Sequence, residues 1–143
     1  METDRALAFA IVRLSADATM QALVNDRIGN APASAGTQFP YVVLDVMSDG
    51  FDTRILGGVR IWTNPLLQIK AVTKGNQPGQ LRPIAKRIDQ LLDRQSGTIT
   101  DGVIVDIFRE SGYLRREITG GVLYLNMGGL YRFRVQQPAV SQA

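Results

Sequence analysis

The side chains that most often carry chemistry in proteins are missing from this chain, which has no histidine and no cysteine among its 143 residues. Without imidazole, no side chain has an ordinary pKa near neutrality. Without a thiol, there is no cysteine nucleophile and no thiolate ligand for zinc. Serine–histidine–aspartate and cysteine–histidine arrangements are therefore excluded. The sequence favours a protein that binds and assembles over an enzyme, and it indicates neither cofactor nor metal.

The carboxylates do not form a metal-binding or acid–base pattern. Asp45, Asp49 and Asp52 are close in sequence, but a calcium loop needs more oxygen ligands at tighter, alternating spacing. Asp101 and Asp106 form no pair at a useful spacing. We interpret all five as solvated carboxylates in turns.

Three glycine pairs lie beside apolar segments, at Gly57-Gly58, Gly120-Gly121 and Gly128-Gly129. A phosphate-binding loop needs a strand, a glycine-rich turn and a helix N-terminus in that order. None of the pairs precedes a predicted helix. The pairs therefore predict turns or bulges between strands.

The net charge of the chain is small and lies in its second half. Sixteen basic and 13 acidic residues give a formal charge of +3. Residues 1–80 hold seven of each sign, and residues 81–143 hold nine basic and six acidic side chains. A dedicated nucleic-acid binder would show a clustered basic face. The mild excess permits an acidic partner without indicating nucleic acid.

Composition and length predict one folded domain, because 45% of the residues are hydrophobic and the length is ordinary for a single core. We find no apolar run long enough to span a membrane. Two acidic residues within Met1–Arg5 are unlike a secretory signal. We expect the protein to be made in the cytoplasm, with no membrane partner.

The spacing of apolar residues predicts an N-terminal helix pair broken near Ser15 and a helix over Leu81–Leu92 with Pro83 in its first turn. Apolar or alternating runs predict strands, which continue to the end of Leu130–Val135. Asn64-Pro65 interrupts what would otherwise be one longer strand. The predicted strand segments are 41–46, 59–63, 67–71, 103–108, 122–125 and 130–135.

This order of elements predicts an α+β fold in which an antiparallel β-sheet has helices packed on one face. We place the domain at residues 1–136 and a flexible tail at residues 137–143. Strict alternation in the last strand predicts that its aromatic residues point to the core and that Arg132 and Arg134 form an exposed row. Two glycine-flanked segments, 48–58 and 111–121, are expected to be long loops. Trp62 fits either the core or an interface.

The series of segments resembles the tail-terminator, or tail-completion, proteins of long-tailed bacteriophages over roughly residues 5–136. The resemblance rests mainly on the strand Phe-Pro-Tyr-Val-Val-Leu at 39–44 and the ending Gly-Gly-Leu-Tyr-Arg-Phe-Arg-Val at 128–135. It implies an α+β subunit of a non-enzymatic ring, a homo-oligomer that is typically a hexamer, at the head-proximal end of the tail tube.

In that family the ring stops growth of the tube by binding the tail-tube protein, and it receives the connector or stopper proteins of the head. DNA passes through the lumen without sequence-specific binding. The resemblance therefore implies a virion protein of the tail or neck, assembled in the host cytoplasm. The alternatives are a head-completion or stopper protein of the neck and a small basic nucleic-acid-binding module.

For the ring we predict interface residues in the two glycine-flanked segments and in the last strand. These candidates combine arginines, which are enriched at protein interfaces, with polar and aromatic residues of the first segment. They are Phe51, Asp52, Arg54, Arg115, Arg116, Arg132 and Arg134.

Overall fold

A computed structural model describes residues 2–30, 38–50, 52–54, 60–99 and 102–136. These residues form three helices and eight strands in one α+β domain. The helices are α1 Glu2–Ser15, α2 Ala18–Val24 and α3 Pro78–Leu92. The strands are β1 Ile28–Asn30, β2 Tyr41–Ser48, β3 Asp52–Arg54, β4 Arg60–Thr63, β5 Leu66–Lys74, β6 Gly97–Ile99, β7 Gly102–Thr119 and β8 Val122–Gln136.

One mixed sheet contains all eight strands, with β8 at its centre. One edge of β8 pairs with β5 and β4, and the other edge pairs with β7. The sheet continues from β5 through β2 to β1, from β4 to β3, and from β7 to β6. Every pair is antiparallel except β1 and β2, which are parallel. The α+β class is therefore confirmed, with one parallel pair that the alternation of residues could not reveal.

The core lies between the helices and one face of the sheet, because alternate residues of β2, β5 and β8 are buried together with apolar residues of α1, α2 and α3. Near the end of β8 the buried residues are Tyr131, Phe133 and Val135, as their alternation predicted, and Leu125 earlier in the strand is buried as well. Their partners in register, such as Leu67 opposite Tyr131, point to the same face. We call this the helix side of the sheet and the opposite one the outer side.

The N-terminal helix pair is broken where the sequence predicted, and its two axes meet at 84°. Asp17 caps α2 by accepting a hydrogen bond from the backbone N–H of Met20 at 3.0 Å. It also pairs with Arg87 of α3 at 2.6 Å, and this hydrogen bond lowers the pKa of Asp17 below its ordinary value. Among the described residues, no single helix is long and apolar enough to span a membrane, and only the bent α1–α2 pair meets the length and composition criteria.

The helix α3 begins three residues before the predicted position. Pro78 occupies the first helical position, where a missing N–H costs little. Pro83 therefore lies inside the helix rather than in its first turn. Its ring is exposed, and burial of Leu81, Ile84, Ile88 and Leu92 stabilises the helix despite one lost backbone hydrogen bond.

The Asn64-Pro65 break does not shift the register between β8 and the strands on either side of it. Trp62 is opposite Gln136 and Leu66 is opposite Arg132. The five residues from Trp62 to Leu66 therefore match the five residues from Gln136 back to Arg132, as in an uninterrupted antiparallel pair. At the break, the carbonyl of Pro65 still accepts from the N–H of Phe133 at 2.9 Å. Thus β4 and β5 act as one interrupted strand.

The β7–β8 hairpin is the longest element of the fold. Gly120 and Gly121 form its turn with φ of +59° and +77°, the left-handed values that a two-residue hairpin turn requires. Residues 111–119 belong to β7, so the prediction of a loop at 111–121 was wrong except at the turn. Two bulges in β7, between Ile104 and Asp106 and between Arg109 and Ser111, change which residues point to the helix side.

Gly128 and Gly129 lie inside β8 rather than at a turn. A Cβ at position 128 would overlap the backbone carbonyl of Ile69 in the neighbouring strand. A Cβ at position 129 would lie 2.9 Å from the side chain of Arg109. Glycine at these positions therefore permits close approach of β5 and β8 beside the second bulge of β7.

Candidate interface surfaces

Arg132, on the outer side of β8, connects the second bulge of β7 to the Asn64-Pro65 break. Its guanidinium donates two hydrogen bonds to the carboxylate of Glu110, at 2.7 Å and 3.4 Å. A third hydrogen bond reaches the carbonyl of Asn64 at 2.8 Å. Only 18% of the Arg132 side chain is exposed. A bidentate, charge-assisted contact of this kind contributes to folding.

The prediction of an exposed arginine row was therefore wrong for Arg132, although both arginines point away from the helices as expected. Arg134 lies with its guanidinium carbon 5.0 Å from the centroid of the Trp62 ring, a cation–π contact, and is half-buried. Trp62 thus packs against the outer side of the sheet. Its contact with Arg134 helps to hold β4 against β8.

Tyr131, the neighbour of Arg132, faces the opposite side and ends at the surface of α3. Its hydroxyl donates to the carboxylate of Asp89 at 3.1 Å. Burial raises the pKa of Tyr131, and the charge of Asp89 raises it further. The phenol therefore stays neutral and keeps donating far into the alkaline range.

The end of the hairpin differs from this closely packed region, and we call residues 111–128 the arm. Its β8 strand pairs with β5 as far as Tyr124 opposite Lys74, but its β7 strand lies at an edge of the sheet. Within the described residues, no strand pairs with the outer edge of β7 beyond Ile104. The α3–β6 connection covers that edge at Ile107, whose carbonyl accepts from the N–H of Arg94, and at Arg109, whose N–H donates to the carboxylate of Asp93 at 2.9 Å.

Two large apolar side chains of the arm are in water. Leu114 is 57% exposed and Ile118 is 76% exposed. Their register opposite Met127 and Leu123 places both on the helix side of the sheet. At this end of the hairpin no helix of the described chain covers them. An exposed edge strand with apolar side chains is a site where another chain can pair.

Arg115 and Arg116 also lie on the arm, but on opposite sides of it, because they are consecutive in a strand. Both are exposed. Arg115 contacts Glu117 at 3.6 Å. Arg116 donates to the neutral side-chain amide of Asn76 at 3.3 Å, so within the described residues no carboxylate pairs with its charge.

A groove of about 580 Å³ separates the arm from α3. Ala85 and Lys86 line it on the helix, and Leu114, Met127 and Tyr131 line it on the strands. The groove gives a partner access to the apolar helix side of the arm.

The described part of the other predicted segment, residues 48–50 and 52–54, lies at the opposite end of the sheet. Asp49 and Gly50 follow β2, and a Cβ on Gly50 would overlap the carbonyl of Asn64, so glycine is required for this close approach. Asp52 and Arg54 belong to the short strand β3, while Phe51 and residues 55–59 lie outside the described residues. Exposed side chains near the end of β2 are Asp45, Met47 and Asp49.

The candidate residues therefore fall into separate places and do not form one site. Arg132 and Arg134 are about 20 Å and about 26 Å along β8 from Asn126, the position opposite Arg115, at a rise of about 3.3 Å per residue. Sequence reasoning missed the exposed apolar residues Leu114, Ile118 and Met47. No local signal identified the first two, because the bulge between Arg109 and Ser111 shifts the alternation of a segment that we interpreted as a loop.

No three carboxylates gather in the described part of the chain. What this geometry offers is an edge strand, an apolar patch and separated charges. These are features of a surface that binds another protein.

Comparisons with known proteins agree with this picture. The model of the family described as tail completion protein gp17 matches residues 11–135. One solved structure, a chain of the virion of a native gene transfer agent particle, superposes with a TM-score of 0.68 at 19% identity and covers 92% of this chain and 98% of that chain. No curated protein matches in sequence. With a match over most of its length, the chain belongs to the tail completion protein gp17 family.

Proposed function

We propose that this protein is a non-enzymatic tail terminator that forms a ring, typically of six copies, at the head-proximal end of the tail tube of a phage or phage-like particle. One face of the ring stops growth of the tube, and the other receives the head connector or stopper protein. DNA passes through the lumen without sequence-specific contacts. The observation that carries the proposal is the tail-completion family match over residues 11–135.

The distribution of surfaces supports a ring. A closed ring requires two different contact surfaces on each subunit, because every copy meets its neighbours head to tail. The arm lies beyond one edge of the sheet, and the end of β2 with Asp45 and Asp49 lies towards the other edge. The two are on different strands and at opposite ends of the strand axis, as head-to-tail contacts require.

The charges support passage of DNA better than specific binding of it. Arg132 is paired with Glu110, Arg134 contacts Trp62, and the two arm arginines point to opposite sides. Because these four arginines of the described chain do not share one face, we expect weak and salt-sensitive contact with nucleic acid.

The test is the growth of tail tubes from the tail-tube protein of the same particle, with and without the purified chain. We expect the chain to bind one end of each tube and to shorten the tubes in proportion to its concentration. Tubes of unchanged length with no chain at either end would contradict the proposal. Binding to the portal-side proteins alone would instead indicate a stopper, and tight, salt-dependent binding to DNA would indicate a nucleic-acid-binding module.

A further inference from the structure

We infer that neighbouring copies of this chain join through the arm of one copy and the end of β2 in the next. The inference rests on the proposed ring and assigns the surfaces that close it. On one copy the contact uses Leu114, Arg116 and Ile118, and on the next it uses Asp45, Met47 and Asp49.

Both surfaces are free strand edges within the described residues. The outer edge of β7 has no strand partner beyond Ile104. On the opposite edge of the sheet, β1 pairs with β2 only from Val42 to Leu44, and no other described strand pairs with that edge from Asp45 to Ser48. A free edge presents unpaired N–H and C=O groups that a strand of another chain can satisfy.

The apolar side chains on the two edges complement each other. Leu114 and Ile118 are 57% and 76% exposed, and Met47 is 51% exposed. These are three of the large apolar side chains that the described chain leaves in water, and each lies on or beside a free edge. Methionine adapts its shape to a partner more readily than other apolar residues.

The charges complement each other as well. Arg116 contacts only the neutral Asn76 among the described residues. Asp45 and Asp49 are exposed, and no cation among the described side chains pairs with either. Charged residues often protect edge strands from pairing with copies of themselves. Here two β7 edges would bring Arg116 against Arg116, whereas the end of β2 offers exposed acidic residues, among which Asp49 follows the strand.

A second copy therefore fits the arm better than a head or tube protein, whose charges would have to match independently. The contact is head to tail and leaves both surfaces of every subunit occupied only when the ring closes.

Cysteine pairs test this assignment directly, because the natural chain has no cysteine to interfere. The full-length double variant Leu114→Cys with Met47→Cys, treated with a short bismaleimide crosslinker, should give a ladder of multimers that ends at a closed ring. Each single variant should stop at dimers. The matched control pairs Leu114→Cys with Val12→Cys, which is 66% exposed on α1, and should give no ladder.

Charge-reversal variants test the same contact independently, through the strength of association between copies. Arg116→Glu and Asp49→Lys should each weaken association about fivefold per contact, and the chain carrying both changes should recover most of that loss. Recovery requires the two residues to face each other across the interface.

A double-cysteine variant that gives no more multimers than its single parents, or a charge exchange without recovery, would overturn the inference. If the wild-type chain still forms rings on tube ends in that case, the proposed function stands and only the contact is wrong. If the wild-type chain forms no ring in any condition, the proposed function fails together with the inference.

Discussion

The two ends of the β7–β8 hairpin share one hydrogen-bonded ladder but differ in what covers them. Near residues 130–135, Tyr131 and Phe133 are buried beneath the helices. In the arm, Leu114 and Ile118 have equally apolar side chains and remain exposed. Pairing of strands satisfies the backbone, but only a second layer removes side chains from water. The comparison teaches that one end of the hairpin builds the domain on both strands. In the arm only β8 reaches the core, through Leu125, and the β7 strand is available to a partner.

The largest expected difference between the two regions is in the free energy of unfolding after truncation of an apolar residue. Phe133→Ala should lower it by about 3–5 kcal/mol, because a fully buried ring leaves a cavity. Ile118→Ala in the arm should change it by no more than about 0.5 kcal/mol. Urea denaturation of both variants measures the difference, and equal losses would show that the arm is part of the folded core.

Removal of an arginine from each of the two regions should give a smaller difference in the free energy of unfolding. Arg132→Ala should lower the free energy of unfolding by about 2 kcal/mol, since it leaves Glu110 and the carbonyl of Asn64 without their donor. Arg116→Ala, its control in the arm, should be close to neutral. If both variants unfold like the wild-type protein, the contact between the bulge and the break does not contribute to stability.

The smallest effect concerns pH and is confined to the helical layer. The pKa of Asp17 is lowered in the folded state by its hydrogen bond from Arg87, so its stabilisation is present above the ordinary value of 3.8 and is lost as the pH falls through the lower, folded value. Asp17→Asn keeps a good helix cap but removes the ion pair. The variant should melt below the wild-type protein at pH 7, and the two melting temperatures should approach each other as the pH falls below the ordinary value of 3.8 and through the lower, folded value.

The sequence predicted the core end of the hairpin and missed the arm for a physical reason. Alternation in Leu130–Val135 continues without interruption, so its pattern identified both the strand and its buried face. In β7 two bulges change the side to which alternate residues point, from Ile104 to Ile107 and then to Leu114. A strand with shifted alternation and an exposed edge looks like a loop in sequence.

Contacts between residues far apart in sequence account for the other differences between the predictions and the structure. The bidentate contact from Arg132 to Glu110 joins residues 22 positions apart, and no local pattern indicates which acidic residue an arginine will meet. The parallel pairing of β1 with β2 and the preserved register across Asn64-Pro65 also depend on neighbouring strands rather than on local preference.

The measurement that tests the division between core and arm most directly is the behaviour of Leu114→Asp with Ile118→Asp. Its free energy of unfolding and the fraction of chain in rings at tube ends should be compared with those of the wild-type protein. We expect unchanged unfolding and loss of the rings, because these side chains are already in water in the single chain but are buried in the assembly. Normal rings, or a loss of stability as large as that of Phe133→Ala, would contradict the account.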